Sequence, residues 1–256
     1  MIFETHAHYD DKRFDKDREE LLAALPAKGI ETVIDVGSSI ESSKQALELA
    51  ARYAYIYAAV GVHPSDIACL DEESFAWLKQ AAAEDKTVAI GEIGLDYYWD
   101  KEPDVRKRQQ EWFYRQLLLA KECKLPVIIH SRDAAEDTMT VMKRAGAEEI
   151  PGVIHCYSYS PQMAQEFVQM GYYIGVGGVV TFKNAKKLKE TVAQLPLERL
   201  LLETDCPYMA PEPYRGTRND STLLPYVAAQ IAALKGVTEE EVIEVTRQNA
   251  RQLFLR

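Results

Sequence analysis

The segment Lys124–Ser158, KLPVIIHSRDAAEDTMTVMKRAGAEEIPGVIHCYS, contains one complete folding unit. LPVIIHS and GVIHCYS are apolar, β-branched runs too short for ordinary helices. Residues 133–145 between them have helical length and periodicity, and Gly146 then breaks the pattern. Strand, helix and strand in that order predict two parallel strands joined by a right-handed crossover. The unit recurs. MIFETH, ETVIDVG, YIYAAVGVH and TVAIGEIG are strand candidates before it, and YYIGVGG and RLLLETD after it. Helical segments fall at about 18–28, 40–53, 71–84, 104–123, 161–170 and 184–195, with two more over about 222–251. Ser160-Pro161 and Gly171 bracket the sixth helix, and Thr238 with Glu241 has the spacing of a capping box. Eight strands alternating with helices are the number that closes a single (β/α)8 TIM barrel. No linker or composition break divides residues 1–256, so one domain is expected, with a doubly wound open sheet as the other architecture the alternation admits.

Composition narrows the function classes. Hydrophobic residues make up 47% of 256, yet no apolar run approaches the roughly 18 residues of a membrane span. Charged and polar residues from Glu4 onward leave no signal-peptide pattern, so a cytoplasmic protein without a membrane partner is expected. Cys69, Cys123, Cys156 and Cys206 are far apart and form no CxxC pair, which argues for reduced thiols over a disulfide framework or a structural zinc site. A formal net charge of −10 and a pI near 5.1 disfavour tight nonspecific duplex binding. They do not exclude a nucleic-acid enzyme whose cationic mouth or bound metal supplies local positive charge.

Barrel enzymes assemble their sites from the C-terminal ends of strands and the loops that follow. All five histidines fall at such ends: His6 and His8, spaced to share one face of the first strand, His63 after the third, His130 after the fifth and His155 after the sixth. Glu92 ends the fourth strand, and Glu203 and Asp205 end the eighth. Imidazole and carboxylate without thiolate suit Zn²⁺, Mn²⁺ or Fe²⁺, and the carboxylates admit Mg²⁺. Six candidate ligands, His6, His8, Glu92, His130, His155 and Asp205, exceed one tetrahedral shell. Two divalent ions per chain are therefore expected, of magnesium, manganese or zinc, with Glu92 placed to bridge them. Metal-assisted hydrolysis follows as the reaction class, with Asp205 also handling the proton of the attacking water. Glu203 either assists in that site or packs as an interior acid.

Arg132 follows the fifth strand, and Arg215, Arg218 and Asn219 lie in the loop APEPYRGTRND after the eighth. Guanidinium forks suit phosphate oxygens, although pairing with Asp133, Glu212 or Asp220 would make them ordinary surface residues. Tyr97, Tyr98, Trp99, Tyr157 and Tyr159 either stack bases or wall the barrel mouth.

THAHYDD, VGVHP, IGEIGLDYYWD, VIIHSRDA, GVIHCYS, GVGGVVTFKNA, LLLETDCPYMAP, YRGTRN and VTRQNARQLF occur in an order, and over a span, that resembles the TatD family of metal-dependent hydrolases. The resemblance implies an amidohydrolase-like barrel and a metal-dependent deoxyribonuclease, some relatives being 3′→5′ exonucleases, acting transiently on DNA or an oligonucleotide. It also implies that Glu92, His130, His155 and Asp205 are core ligands and that His6 and His8 complete a second metal position. His63 falls where the family keeps a histidine at the mouth, and Arg132, Arg215 and Asn219 match polar motif positions. Tyr157-Ser158-Tyr159 and Asp220-Ser221 depart from the family's frequent Phe-Ser-Gly and acid-proline, which bears on substrate shape. Two other functions fit the residues: hydrolysis of a small amide, lactone, phosphoester or deaminase-type substrate, and metal binding without turnover. Nothing in the sequence requires an obligate protein partner.

Overall fold

In a computed structural model that describes residues 1–255, the short apolar runs become eight parallel strands in the order of the chain. They are β1 (Ile2–Ala7), β2 (Ile30–Val36), β3 (Ile56–Val60), β4 (Thr87–Asp96), β5 (Val127–Arg132), β6 (Gly152–Ile154), β7 (Tyr173–Val176) and β8 (Leu200–Leu202). The ring is nearly closed between its ends. Ala7 bridges Cys206 in parallel, and Asp205 N–H donates to His6 O and His8 N–H to Cys206 O, both at 2.9 Å. An open sheet would leave these edges apart, so the structure shows the barrel.

Between the strands run α1 (Arg18–Ala24), α2 (Ile40–Arg52), α3 (Glu72–Ala81), α4 (Pro103–Cys123), α5 (Ala135–Ala145), α6 (Pro161–Gln169) and α7 (Lys186–Gln194), followed by α8 (Leu224–Lys235) and α9 (Glu239–Phe254). Each buries one stripe. On α5 the buried residues Thr138, Met139, Val141, Met142 and Ala145 recur at three- and four-residue steps. At two helix ends the local chemistry differs from the sequence expectation. The first helix stops at Ala24 because Pro26 cannot continue it and opens a tight 3-10 turn instead. Thr238 caps the N–H of Glu241 at 3.2 Å, but the reciprocal capping-box bond forms elsewhere, between Asp71 and Ser74. The long C-terminal segment divides at Gly236, whose φ of 69° favours glycine.

Two apolar layers hold the fold. One lies between strands and helices. The other takes at least one side chain from every strand, among them Phe3, Ile34, Ile128, Val153, Tyr173 and Leu201, which only the barrel interior can collect. Its floor is Leu253 and Phe254 of α9, with Phe254 stacked on Phe3 at 6.4 Å. Each fully buried side chain of this size contributes about 1.5–3 kcal/mol. The opposite end of the barrel carries the polar residues.

Candidate metal centre

Just beyond the C-terminal ends of the strands is a cavity of about 650 Å³, a size suited to a small ligand or a chain end. Strands β6 and β8 are shorter than their apolar runs. His155, Glu203 and Asp205 therefore sit in the turns that follow, where Cys156 (φ 45°) and Asp205 (φ 57°) take the left-handed conformation. Positive φ at non-glycine residues is uncommon and collects at functional turns.

His6 Nε2 and His8 Nε2 lie 3.0 Å apart. Glu92 Oε2 is 3.5 Å from the first and 3.7 Å from the second, and Asp205 Oδ1 is 3.9 and 3.4 Å from them. A tetrahedral ion with bonds of about 2.0–2.1 Å needs ligand separations of about 3.3–3.4 Å, and these five separations, 3.0–3.9 Å, scatter around that value, with His6, His8 and Asp205 grouped closely enough to hold one ion. The other Glu92 oxygen faces away. Oε1 lies 2.8 Å from His130 Nδ1 and 3.7 Å from His155 Nε2, while His155 Nε2 is 3.9 Å from Asp205 Oδ1. One carboxylate thus presents an oxygen to each of two donor groups.

Hydrogen bonds to the far ring nitrogens aim two of these donors, His8 and His130. Val36 O can only accept, so His8 Nδ1–H donates to it at 2.7 Å and leaves the Nε2 lone pair for the centre. Asp96 Oδ2 accepts from His130 Nε2 at 3.1 Å, turning Nδ1 toward Glu92. Glu203 Oε1 lies 3.2 Å from His155 Nδ1 and accepts from Cys156 N–H at 2.6 Å. Gly175 makes room for that acid, since a Cβ there would stand 2.3 Å from Glu203 Oε2. His63 differs from the others. Its Nδ1 accepts from Ser65 N–H at 3.2 Å, so the neutral ring carries its proton on Nε2, which is 3.9 Å from Glu92 Oε1.

The charges agree with a cation-binding site. Burial alone would raise the Glu92 and Asp205 carboxyls, but surrounding imidazoles, His63 for Glu92 and His8 for Asp205, hold both below the usual range. Burial lowers His8, yet Asp205 and Glu92 outweigh it and push its pKa up to about 10. His155, beside Glu203, likewise rises to about 9. Burial and the neighbouring His130 bring His63 down to about 3. Ionised carboxylates that draw protons onto crowded imidazoles form a site where a divalent cation can take the place of those protons.

The structure does not bring every candidate here. Arg132 lines the cavity with its guanidinium 3.9 Å over Tyr98, and Arg215 stacks 4.3 Å over Phe182, itself a lining residue. Neither makes an ion pair among the described residues. Arg218 is turned away from the cavity, bound through two 2.6 Å hydrogen bonds to Asp17. Asn219 is buried, its amide donating to Thr204 O and Tyr208 O, so it fastens the loop and has no amide proton left for phosphate. The aromatic cluster divides too. Tyr98 and Trp99 are exposed, whereas the hydroxyls of Tyr97, Tyr157 and Tyr159 are bonded within the wall. Sequence reasoning missed Asp96 and Asp10. Asp96 continues a period-two series from Glu92 along β4, which is the available signal, whereas Asp10 lines the cavity from the turn after β1.

A family model described as "TatD related DNase" matches residues 3–255. The chain belongs to the TatD family. A TatD relative from Bacillus subtilis (strain 168), the "uncharacterized metal-dependent hydrolase YabD", is 47% identical over 254 residues, 99% of each chain. A "3'-5' ssDNA/RNA exonuclease TatD" from Cronobacter sakazakii is 34% identical, covering 100% of this chain and 98% of its own. The crystal structure of the TatD homologue YjjV from Escherichia coli K12 matches with a TM-score of 0.92 and 36% identity, over 100% of this chain and 98% of that one. A phosphotriesterase homology protein from Escherichia coli, 16% identical with a TM-score of 0.70, shares the fold. TatD membership makes the chain a member of a metal-dependent hydrolase family, and among its described residues no helix is long and apolar enough to cross a membrane.

Proposed function

We propose that the protein hydrolyses phosphodiester bonds of DNA, releasing nucleotides from a single-stranded end in the 3′→5′ sense of its exonuclease relative. The observation that carries this reading is the split Glu92 carboxylate between two donor groups, at the floor of a cavity whose rim holds two arginines without acidic partners. His6, His8, Glu92 and Asp205 would hold one divalent ion, and Glu92, His130 and His155 a second. Ions held there would make a water nucleophilic near neutral pH and draw charge from phosphoryl oxygens. Asp205 accepts the proton of the attacking water, as its carboxylate is ionised and partly open to the cavity. His63 Nε2–H donates to a phosphoryl oxygen, Arg132 and Arg215 grip flanking phosphates, and Glu203 fixes the ring of His155.

The test is degradation of single-stranded and duplex DNA by metal-loaded protein beside Asp205→Ala. Loss of activity in the variant supports the reading, and equal degradation by both proteins contradicts it. A second reading rests on Asp10, Asp11 and Asp66, which also line the cavity and repel a polyanion. It makes the substrate a small amide or lactone. Turnover of such a compound far above that of any phosphodiester would decide for it.

A further inference from the structure

The wall of the cavity continues onto the outer surface on one side. Phe182 lines the cavity and supports Arg215. The preceding residue, Tyr214, packs edge-on against Tyr226 of α8, with centroids 5.2 Å apart at 71° and hydroxyls 3.1 Å apart. Both rings are 40% exposed. The segment is pinned: Tyr214 N–H donates to Pro211 O at 2.7 Å, Glu212 N–H to Thr181 Oγ1 at 2.8 Å, and Thr217 N–H to Tyr214 O at 3.0 Å. One hydroxyl donates to the other at the edge of the pair, and the ring faces carry no polar group of their own. Isolated exposed tyrosines are common and need no explanation. Here, however, Phe182 of the cavity wall carries the Arg215 guanidinium, and Tyr214 is the neighbouring residue on the same pinned loop, on an otherwise acidic chain. That is the composition of surfaces that track a single strand, where cations meet the backbone and aromatic rings meet the bases.

We infer that Tyr214 and Tyr226 form a remote nucleobase subsite, on which a strand leaving the cavity past Arg215 stacks one of its bases. The inference rests on the phosphodiesterase reading and adds to it a preference for chain length. A dinucleotide occupies the cavity without reaching the tyrosines, whereas a longer single strand gains them. Because every base has a π face, the gain is tolerant of sequence but is lost at an abasic position.

The experiment compares the metal-loaded full chain with Tyr226→Ala and Tyr226→Phe on bis(nitrophenyl) phosphate, a dinucleotide and an octanucleotide. Tyr226→Ala is expected to raise KM for the octanucleotide by about fivefold to a hundredfold, the range of one base–aromatic stack, without changing kcat. Turnover of the two small substrates stays at the wild-type level, and Tyr226→Phe behaves as wild type because the ring does the binding. An unchanged octanucleotide KM in Tyr226→Ala overturns the subsite. If wild type hydrolyses none of the three, the phosphodiesterase reading fails separately. Fluorescence anisotropy with a labelled octanucleotide then judges the subsite alone: weaker binding by Tyr226→Ala supports it, and equal binding overturns it.

Discussion

His6 Nε2 and His8 Nε2 face each other at 3.0 Å, with the rings nearly perpendicular at 74°. Two imidazoles held this close at their nitrogens share either one proton or one cation, and Glu92 and Asp205 complete a shell around the same point. Replacing both histidines by alanine is expected to remove one ion per chain and leave the one at His130 and His155. Elemental analysis of purified wild type and variant measures this directly, and equal metal content would mean that the pair binds none.

Asp96 holds His130 through its Nε2, opposite the ring nitrogen that faces Glu92. Partners of this kind typically account for about 10- to 100-fold in metal affinity or activity. Asp96→Asn, which keeps a side-chain oxygen for the Tyr98 and Trp99 N–H groups, should lower affinity by that factor. Metal titration followed by calorimetry, with a thermal melt as control, checks it, and unchanged affinity would reduce Asp96 to a packing residue.

Arg132 and Arg218 should behave oppositely despite similar sequence credentials. Arg132→Ala is expected to raise KM for an oligonucleotide by about tenfold or more, the worth of a charge-assisted phosphate contact. Arg218→Ala should leave KM alone and cost about 0.2–1 kcal/mol of stability, because it breaks a largely exposed pair with Asp17. Steady-state kinetics and denaturant melts of both variants separate the two roles.

Glu4 supplies a pH dependence away from the donor atoms. It is fully buried, Oε1 accepting from His6 N–H and Thr204 N–H, and burial raises its pKa to about 8. An unfolded chain releases this proton near 4.5, so between about 4.5 and 8 the folded state holds a proton that the unfolded state has lost. Stability therefore falls as pH rises through that window, by on the order of 5 kcal/mol in total. Glu4→Gln should remove this slope. Urea melts of both proteins across the window measure the difference, and parallel pH profiles would contradict the assignment.

The barrel was legible in the sequence because parallel strands buried on both faces read as unbroken apolar runs, and the helices between them keep their own period. Histidines at strand ends were legible for the same reason: His130 directly follows VII of β5. Asp96 was less visible, as the strand reading stopped at Gly94 and the β4–β5 register shifts between Ile90 and Ile93. Arg218 is not legible in the sequence because its partner, Asp17, lies 201 residues away, whereas Glu212 and Asp220 are the acids near it in the chain. Asn219 misled in a related way. Its position in a polar motif said nothing of the two carbonyls that the fold brings to it.

The most direct measurement is the hydrolysis of a single-stranded oligonucleotide by metal-stripped protein as manganese is added back in measured equivalents. With Glu92 joining two donor groups, the rate should stay low through the first equivalent and rise to its plateau at the second. A plateau at one equivalent, or no hydrolysis at any metal content, would contradict a two-ion phosphodiesterase.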